Sequence, residues 1–271
     1  RITMAVSGGG ALQKETDLFY RAIDLTLLEG YGLSETAPVV SVRDFRHPRS
    51  GCVGAIMPSV EIKIVKEENG VIAGSEPLGF GQKGLILARG GQIMKGYYNR
   101  PDLTQKIIDA DGWLNTGDIG LLTYDNEIKI TGRAKDTIVL LDGENIEPAV
   151  IEAELLVEKY IESAMVVGQD RKYLGCLIVP AKENVLEYAA EQNIDFADYE
   201  SLLKDKRIVS LFQKIINERV SIKNGFRNCE TIYKFVLLAE SFKPGEELSA
   251  KQEMMRYKIA EKYSEQIKQM Y

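Results

Sequence analysis

Asp118 and Arg133 are the two residues of this chain whose types and spacing most directly suggest chemistry. They lie in two neighbouring segments, residues 112–120 and residues 130–136. An aspartate can accept hydrogen bonds from both hydroxyls of a ribose, and an arginine adds a forked, permanently charged donor for the same sugar or a phosphate. The pair therefore predicts a nucleotide-sugar site, with a structural ion pair beside an Asp-Gly turn as the alternative.

The elements that must position this pair belong to a stretch with the hydrophobic pattern of β-strands. Alternation with a period of two residues occurs at residues 60–65, 85–89 and 127–130, with glycine, proline and Asp-Gly turns between them. This pattern predicts a small, mainly antiparallel β-barrel or sandwich over residues 51–133.

The segments on either side of this stretch mix strands with helices. Residues 2–6 have the pattern of a short buried strand, and helical spacing follows over residues 14–28, so α/β structure is predicted for residues 1–50. Apolar strands alternate with helices again after the barrel. An α+β domain is therefore predicted over residues 134–271.

Two helices of this last domain have specific signals. One apolar stripe recurs at helical spacing and consists of Ile208, Leu211, Phe212, Ile215 and Ile216. The final helix is predicted to begin at Ser249, where Ser249 and Gln252 would form a capping box. Its buried face would consist of Met255, Ile259, Tyr263 and Ile267.

Composition and charge argue against several classes of function. The chain has 271 residues, of which 45% are hydrophobic and 27% charged, so it is long enough for one large domain or two ordinary ones. Its formal net charge of -6 argues against a nucleic-acid or anionic-membrane surface, which would favour clustered Lys and Arg. No nucleic-acid partner is expected.

The cysteines and the histidine argue against a disulfide framework, a zinc site and histidine-dependent catalysis. Cys52, Cys176 and Cys229 are odd in number and have no CxxC spacing, so neither a disulfide framework nor a zinc site is expected. The only histidine, His47, lies in a polar stretch, which disfavours histidine-dependent triads. A cytoplasmic location is predicted, because the sequence has no apolar run of membrane-spanning length and its start lacks a signal-peptide pattern.

Five segments, in order along the chain, resemble motifs of the acyl-adenylate-forming superfamily, which includes acyl-CoA synthetases, luciferases and the adenylation domains of peptide synthetases. They are SGGGAL at residues 7–12, GYGLSET at 30–36, MKGYYNRP at 94–101, GWLNTGDIG at 112–120 and ITGRAKD at 130–136. The chain resembles the long-chain fatty-acid CoA ligases in particular, because residues 141–148 have the sequence LDGENIEP.

The resemblance implies a two-step ligase reaction. A fatty-acid carboxylate attacks the α-phosphate of ATP to give acyl-AMP and pyrophosphate, and the thiol of CoA then displaces AMP. Fatty acid, ATP and CoA are therefore the implied partners, with Mg²⁺ as the metal, and a peripheral membrane contact of the full-length protein is left open. In this picture residues 1–50 are the C-terminal tail of the large AMP-binding domain, and residues 134–271 are a mobile lid.

The resemblance also assigns residues to the nucleotide. The adenine and ribose would contact Gly9, Gly10, Ala11, Gly30, Tyr31, Gly32, Asp118, Ile130 and Arg133. Glycine backbone would approach the adenine closely, Tyr31 would stack on its other face, and Asp118 and Arg133 would bind the ribose. Ser34 would hydrogen-bond the α-phosphate in place of the usual threonine, and Glu35 would hold Mg²⁺ or its water.

Two further positions are implied in the movement of the lid. Lys135 would be the hinge about which the lid turns between its adenylating and thioester-forming orientations, with an exposed linker lysine as the alternative. Gly143 would line the CoA channel, where the absence of a side chain leaves room for the pantetheine arm.

Two departures from the superfamily pattern limit the expected activity. No Ser/Thr/Gly-rich phosphate loop occurs in these residues, and the chain begins at Arg1 directly on an apolar segment, so we expect a fragment that is inactive in adenylation on its own. The lysine that the superfamily places late in the lid is matched by Glu253, an anion that would repel the substrate. In one alternative, Glu253 lies in the first turn of a helix and interacts favourably with the helix dipole. In another, a local shift of register brings Lys251 into the site.

Two other functions remain open at this point. Because of Glu253, the protein could be a catalytically weakened paralogue that binds nucleotide or acyl-adenylate as a regulator. It could also be an acyl-AMP ligase that transfers its acyl group to a carrier protein instead of CoA.

Overall fold

The computed structural model describes residues 2, 4–12, 14–68 and 71–271. Contacts divide the chain into two compact units, Arg1–Lys135 and Asp136–Tyr271. The finer division into residues 1–50, 51–133 and 134–271 stays a prediction. None of the helices in the described part of the chain combines the length and the apolar character that crossing a bilayer requires.

The first unit contains one large β-sheet. Its helices are α1 (Lys14–Ala22) and α2 (Pro101–Ile107), and its strands are β1 (Met4–Ser7), β2 (Thr26–Gly32), β3 (Val39–Val42), β4 (Gly54–Ile56), β5 (Val60–Glu68), β6 (Val71–Pro77), β7 (Gly84–Gly90), β8 (Leu114–Leu122) and β9 (Glu127–Arg133). The strands lie in the order β1-β2-β3-β4-β9-β8-β7-β5-β6. β1 and β2 run parallel, whereas the other neighbouring pairs run antiparallel.

The mixed α/β architecture is confirmed, but the predicted barrel is not. The strand order runs from β1 at one edge to β6 at the other, and no pairing among the described residues closes the sheet. The strands predicted at residues 60–65, 85–89 and 127–130 lie within β5, β7 and β9. The period-two pattern therefore identifies the strands correctly, but it contains no information on whether the ends of a sheet meet.

β7 lies at the centre of the core of this unit. Its side chains point alternately to the two faces of the sheet, so Leu85 and Leu87 join one apolar cluster, while Ile86 and Ala88 join another. All four are buried, and complete burial of a large aliphatic side chain contributes about 1.5–3 kcal/mol. Both faces of β7 are therefore covered, which fixes its neighbour β8 and the residues that β8 carries.

The helix predicted over residues 14–28 is wrong in its second half. α1 ends at Ala22, and β2 begins at Thr26. Leu27, Glu29 and Tyr31 alternate as the buried residues of β2. A charged residue in the middle of a buried face hides the strand period, because a pattern of apolar residues alone does not include Glu29.

The second unit contains a three-stranded sheet and most of the helices. Its strands are β10 (Ile138–Val139), β11 (Asn145–Ile146), β12 (Ile161–Val167), β13 (Leu174–Pro180) and β14 (Ile232–Leu237), and its helices are α3 (Pro148–Leu155), α4 (Lys182–Glu191), α5 (Tyr199–Leu203), α6 (Lys206–Arg219), α7 (Arg256–Lys262) and α8 (Ser264–Gln269). β12 pairs antiparallel with β13, which pairs parallel with β14, while β10 and β11 form a separate hairpin.

β13 divides the core of the second unit into two clusters. Cys176 and Ile178 face a cluster that includes the buried stripe of α6, whereas Leu177 and Val179 face a cluster that includes α7. The stripe predicted on α6 is confirmed, since Ile208, Phe212, Ile215 and Ile216 are buried and Leu211 is partly buried. The α+β character predicted for residues 134–271 is therefore present.

The predicted start of the final helix is wrong. Residues 249–255 form a turn, in which the Ser249 amide donates to the Glu253 carbonyl at 2.8 Å and Gln252 has a left-handed φ of 64°. The first helical residue is Arg256. The face predicted for this region is largely correct, because Ile259 and Tyr263 are buried.

Candidate functional site

The structure brings Tyr31, Asp118 and Arg133 together where the interior strands β8 and β9 pair. Asp118 and Arg133 are register partners. Asp118 Oδ2 accepts a hydrogen bond from the Tyr31 hydroxyl at 2.7 Å, and Asp118 Oδ1 lies 3.5 Å from Arg133 Nε. Asp118 is only 5% exposed, whereas 47% of the Arg133 side chain is exposed. A buried carboxylate thus lies beside a guanidinium that solvent and ligand can reach.

Thr116 fixes the backbone that carries this carboxylate. Its hydroxyl donates to the Ile86 carbonyl of β7 at 2.8 Å and accepts from the Asp118 amide at 3.1 Å. Gly117 lies between them in the left-handed region with φ 74°, and its amide donates to Asn115 Oδ1 at 2.9 Å. The segment therefore makes a defined turn away from regular strand pairing before Asp118.

Tyr31 is held as a neutral donor to Asp118. Burial raises the pKa of the Tyr31 phenol well above its ordinary value, and the negative charge of Asp118 raises this pKa further. The Tyr31 ring packs in an apolar cluster, against which Ile130 of β9 also packs. Tyr31 thus contacts Asp118 directly, and Ile130 packs against the apolar cluster that contains Tyr31.

The glycine-rich segment 7–12 follows β1 and faces open space. Apart from each glycine and its chain neighbours, no atom of the described residues lies within 4 Å of a Cβ placed at Gly9 or Gly10, and Ala11 is exposed. The amide of Leu12 donates to Glu29 Oε1 at 3.1 Å, which ties the end of the segment to β2. The segment is therefore held at one end and leaves room for a flat ligand beside its backbone.

A buried charge cluster that the sequence analysis missed holds this region together. Arg43 Nη2 lies 2.6 Å from Glu29 Oε2, and Arg43 Nη1 lies 3.0 Å from Asp17 Oδ2. Arg43 Nε also donates to the Cys52 carbonyl at 2.6 Å. Burial raises the pKa of Glu29, while the Leu12 amide and Arg43 lower it. Asp17 lies in α1, Glu29 in β2 and Arg43 directly after β3, so hydrophobic periodicity alone does not predict their meeting.

The GYGLSET segment contains one glycine that geometry requires. A Cβ atom at Gly32 would lie 1.5 Å from the Pro38 carbonyl oxygen, so no larger residue fits this backbone. A Cβ at Gly30 would make only an ordinary contact, 3.8 Å from the Ser41 carbonyl oxygen. The close approach at Gly32 brings the following residues back over the end of β2.

Ser34 and Glu35 lie in a short 3₁₀ turn, Ser34–Thr36, directly after β2. Thr36 fixes this turn, because its buried hydroxyl accepts from the Leu33 amide at 2.9 Å and donates to the Pro38 carbonyl at 2.6 Å. Ser34 is exposed and Glu35 is half-buried. The turn therefore presents a hydroxyl and a carboxylate on a fixed backbone.

Tyr97 contacts the Glu35 carboxylate in this structure. The Tyr97 hydroxyl donates to Glu35 Oε1 at 2.6 Å, and the Met94 amide donates to the Glu35 carbonyl at 2.8 Å. This hydrogen bond to Glu35 is the main reason why the pKa of Tyr97 is raised. The sequence analysis included residues 94–101 in the resemblance but gave them no role.

The metal that the resemblance implies fits one carboxylate rather than a cage. Among the described residues, no group of three or more His, Cys, Asp or Glu side chains is arranged to hold a metal ion. Mg²⁺ is commonly bound by one or two carboxylates together with substrate phosphates and water. Glu35 is such a single carboxylate, so the donor set fits a metal that arrives with ATP.

Lys135 is the last residue of the first unit. It is exposed and lies in the 3₁₀ turn Ala134–Asp136. The structure thus places the predicted hinge where contacts divide the chain, but its role as a hinge stays a prediction.

Gly143 lies in the hairpin turn between β10 and β11, within the second unit. Its φ is 86°, and its amide donates to the Leu140 carbonyl at 2.9 Å. In the described part of the chain, only its own atoms and those of its two chain neighbours lie within 4 Å of its Cβ position. Arg227 holds the next part of the hairpin, because it pairs with Glu144 at 2.9 Å and donates to the Asn145 carbonyl at 2.8 Å. The open space at Gly143 is compatible with a passing ligand arm.

Lys251 and Glu253 lie in the turn that precedes α7. Both of their amides donate to the Ser249 hydroxyl at 3.2 Å. Lys251 is exposed and Glu253 is half-buried. Because α7 begins at Arg256, Glu253 is not in its first turn, and the interpretation of Glu253 as a helix-dipole partner is wrong.

Comparison with known proteins identifies the class to which this fold and this arrangement of residues belong. Residues 1–98 match the family model described as AMP-binding enzyme, and residues 135–271 match the model described as AMP-binding enzyme C-terminal domain. The second match alone covers about half of the chain. The chain belongs to the AMP-binding enzyme family.

Two curated relatives show which members of the family this chain is similar to. The Arabidopsis thaliana protein named Long-chain-fatty-acid--[acyl-carrier-protein] ligase AEE15, chloroplastic, is 43% identical over 188 residues, which cover 66% of this chain and 25% of that protein. The Mycobacterium bovis protein named Long-chain-fatty-acid--CoA ligase FadD15 is 31% identical over 270 residues, which cover 98% of this chain and 42% of that protein. The chain therefore spans less than half the length of these curated relatives.

A solved structure has the same fold. The adenylation domain of the carboxylate reductase from Mycobacterium chelonae matches with a TM-score of 0.77 at 25% identity, over 98% of this chain and 38% of that one. The chain is thus similar to long-chain fatty-acid CoA ligases in sequence and to an adenylation domain in structure.

Proposed function

We propose that this chain is the C-terminal part of a long-chain fatty acid:CoA ligase, an acid-thiol ligase that uses ATP. The observation that carries the proposal is the buried Asp118, fixed by Tyr31 and paired with Arg133, in a chain of the AMP-binding family. The 31% identity to a protein named as a long-chain-fatty-acid CoA ligase, over 98% of the chain, supports this choice of substrate and acceptor.

The proposed reaction has two steps. The fatty-acid carboxylate attacks the α-phosphate of ATP, which forms acyl-AMP and releases pyrophosphate. The thiolate of CoA then attacks the acyl carbon, which forms the thioester and releases AMP. Because two anions meet in the first step, cations and backbone amides must neutralise the charge that develops on the phosphate. Bound Mg²⁺ would supply part of that neutralisation.

The first unit would bind the nucleotide. The Asp118 carboxylate, which accepts from Tyr31 through Oδ2, would accept the ribose hydroxyls. The exposed guanidinium of Arg133 would donate to the same ribose or to the phosphate. The adenine would lie along Gly9, Gly10 and Ala11, next to the strand that ends in Gly30, Tyr31 and Gly32.

Ser34 and Glu35 would act at the phosphates. The Ser34 hydroxyl is exposed at the end of β2 and would donate to the α-phosphate. The Glu35 carboxylate would hold Mg²⁺ or its water, in agreement with the preference of Mg²⁺ for one or two carboxylates plus phosphate oxygens.

The second unit would serve as the lid, with Lys135 as the hinge. Gly143 would line the channel through which the pantetheine arm of CoA reaches the acyl-AMP, since the space at its Cβ position is open. Lys251 would supply the cation of the adenylating orientation, because it is exposed at the turn before α7.

The 271 residues contain no Ser/Thr/Gly-rich phosphate loop, so the isolated chain would be inactive in adenylation. A cytoplasmic location is part of this proposal.

Two observations favour second candidates. The relative that is 43% identical over 66% of the chain is named for transfer to an acyl-carrier protein, which favours a ligase that acylates a carrier. Glu253 at the position of the expected lysine favours a weakened paralogue that binds acyl-adenylate without forming it rapidly.

The test of the proposal is the choice of acceptor by the full-length protein. We expect the protein to form acyl-CoA when it is given a long-chain fatty acid, ATP, Mg²⁺ and CoA, measured by mass spectrometry of the thioester. A parallel reaction contains a phosphopantetheinyl acyl-carrier protein instead of CoA. Acylated carrier protein without any acyl-CoA would refute CoA as the acceptor, and bound nucleotide without either product would favour the weakened paralogue.

A further inference from the structure

The segment MKGYYNRP at residues 94–101 contacts the turn that carries Glu35 at two points. One contact joins backbone to backbone, from the Met94 amide to the Glu35 carbonyl at 2.8 Å. The other joins side chains, from the Tyr97 hydroxyl to Glu35 Oε1 at 2.6 Å. The two contacts come from one segment and hold both the main chain and the carboxylate of Glu35.

Tyr97 is itself held by helix α2. Its amide donates to Thr104 Oγ1 at 2.9 Å, and the Thr104 hydroxyl donates to the Arg100 carbonyl at 3.0 Å. Gly96 allows this approach, because a Cβ there would lie 2.9 Å from both the hydroxyl and the methyl group of Thr104. The phenol therefore extends towards Glu35 from a backbone that is fixed independently of Glu35.

The geometry of the hydrogen bond leaves Glu35 able to bind a second group. The phenol occupies one lone pair of Oε1, whereas an ionised carboxylate has about four acceptor sites. A hydrogen bond from a hydroxyl to a carboxylate is short and roughly twice as strong as one between neutral groups. It thus restricts the side chain of Glu35 to one orientation without blocking Oε2.

We propose that Tyr97 is a positioning residue, which holds the Glu35 carboxylate in the orientation that receives Mg²⁺ with ATP. The inference rests on the proposed function, in which Glu35 holds the metal or its water. Carboxylates that bind metals are commonly oriented by a hydrogen bond from a second residue, and loss of that residue costs about 10–100-fold in metal affinity or activity. Because Tyr97 is 37% exposed, we expect the lower end of this range, about 10-fold.

The test compares two neighbouring tyrosines in the full-length protein. Tyr97→Phe removes only the hydroxyl, whereas Tyr98→Phe makes the same change at a side chain that is 92% exposed. The first readout is the affinity for the Mn²⁺ complex of an ATP analogue that resists cleavage between the α- and β-phosphates, measured by the relaxation of water protons. The second is the Mg²⁺ dependence of pyrophosphate release. The thermal midpoint of each variant shows that it is folded.

We expect Tyr97→Phe to weaken binding of the Mn²⁺ complex by about 10-fold and to raise the Mg²⁺ concentration for half-maximal rate by a similar factor. Its rate at saturating Mg²⁺ is expected to stay near that of the unaltered protein, and Tyr98→Phe is expected to change neither readout. An unchanged Mn²⁺ affinity in Tyr97→Phe, together with weakened affinity in Glu35→Gln, would overturn the role of Tyr97 alone. Unchanged affinity in both variants would also contradict the proposed role of Glu35.

Discussion

Asp118 combines a structural and a proposed binding role in one side chain. Its carboxylate is buried, it accepts from Tyr31 on one side, and it lies beside Arg133 on the other. A group that is already desolvated and oriented loses little entropy when a ligand hydroxyl reaches it. The carboxylate is thus held in place for a ribose hydroxyl, and its negative charge would strengthen the hydrogen bond to that hydroxyl.

We expect Asp118→Asn to weaken the binding of ATP by about 10- to 100-fold in the full-length protein. The variant keeps the shape but loses a charge-assisted hydrogen bond, which is worth about 1.5–3 kcal/mol. Isothermal titration with a non-hydrolysable ATP analogue measures the change, and Asp111→Asn, at an exposed site in the preceding turn, is the matched control. Equal affinities of Asp118→Asn and the unaltered protein would show that the pair with Arg133 is only structural.

At the residue scale, the sequence predicts partners that are separated by a hairpin and misses those that are not. Asp118 and Arg133 lie on adjacent paired strands, so their meeting follows from the strand pattern. Tyr97 and Glu35 are 62 positions apart, and the Tyr31 hydroxyl meets Asp118 across 87 positions. Contacts of this kind depend on the strand order of the sheet, which hydrophobic periodicity does not determine.

Residues 249–255 form a turn, although their sequence matches the start of a helix. Ser249 and Gln252 match a capping box, and the Ser249 hydroxyl does accept hydrogen bonds from the nearby amides of Lys251 and Glu253. Such local hydrogen bonds stabilise turns as well as helix starts. The burial predicted for Ile259 in α7 and for Tyr263 directly after it is correct, because it depends on apolar spacing rather than on the cap.

In the proposed reaction, this turn would carry the cation that acts in adenylation. We expect Lys251→Ala to lower the rate of pyrophosphate release by the full-length protein about 100-fold, because loss of one group that stabilises the transition-state charge typically costs 10²–10³. The control is Lys268→Ala, which removes an exposed lysine paired with Glu265 on α8. An unchanged rate in Lys251→Ala would contradict the role of Lys251. A large gain in Glu253→Lys would support the weakened paralogue.

At the scale of the whole molecule, the chain consists of two compact units that meet at Lys135 and Asp136 in sequence. The proposed division of labour places the nucleotide on the first unit and the mobile lid in the second. Each unit has its own apolar clusters, as expected for two separate domains. The sequence predicted this mixture of strands and helices, whereas it did not determine that the nine-stranded sheet stays open among the described residues.

The most direct test of the central claim follows one oxygen atom through the reaction. A long-chain fatty acid labelled with ¹⁸O in both carboxylate positions is incubated with the full-length protein, ATP, Mg²⁺ and CoA, and the AMP is analysed by mass spectrometry. If the carboxylate attacks the α-phosphate and the thiol then breaks the bond between the acyl carbon and oxygen, AMP leaves with one ¹⁸O atom. We predict this single label in AMP, and thioester formation with unlabelled AMP would contradict an acyl-adenylate intermediate.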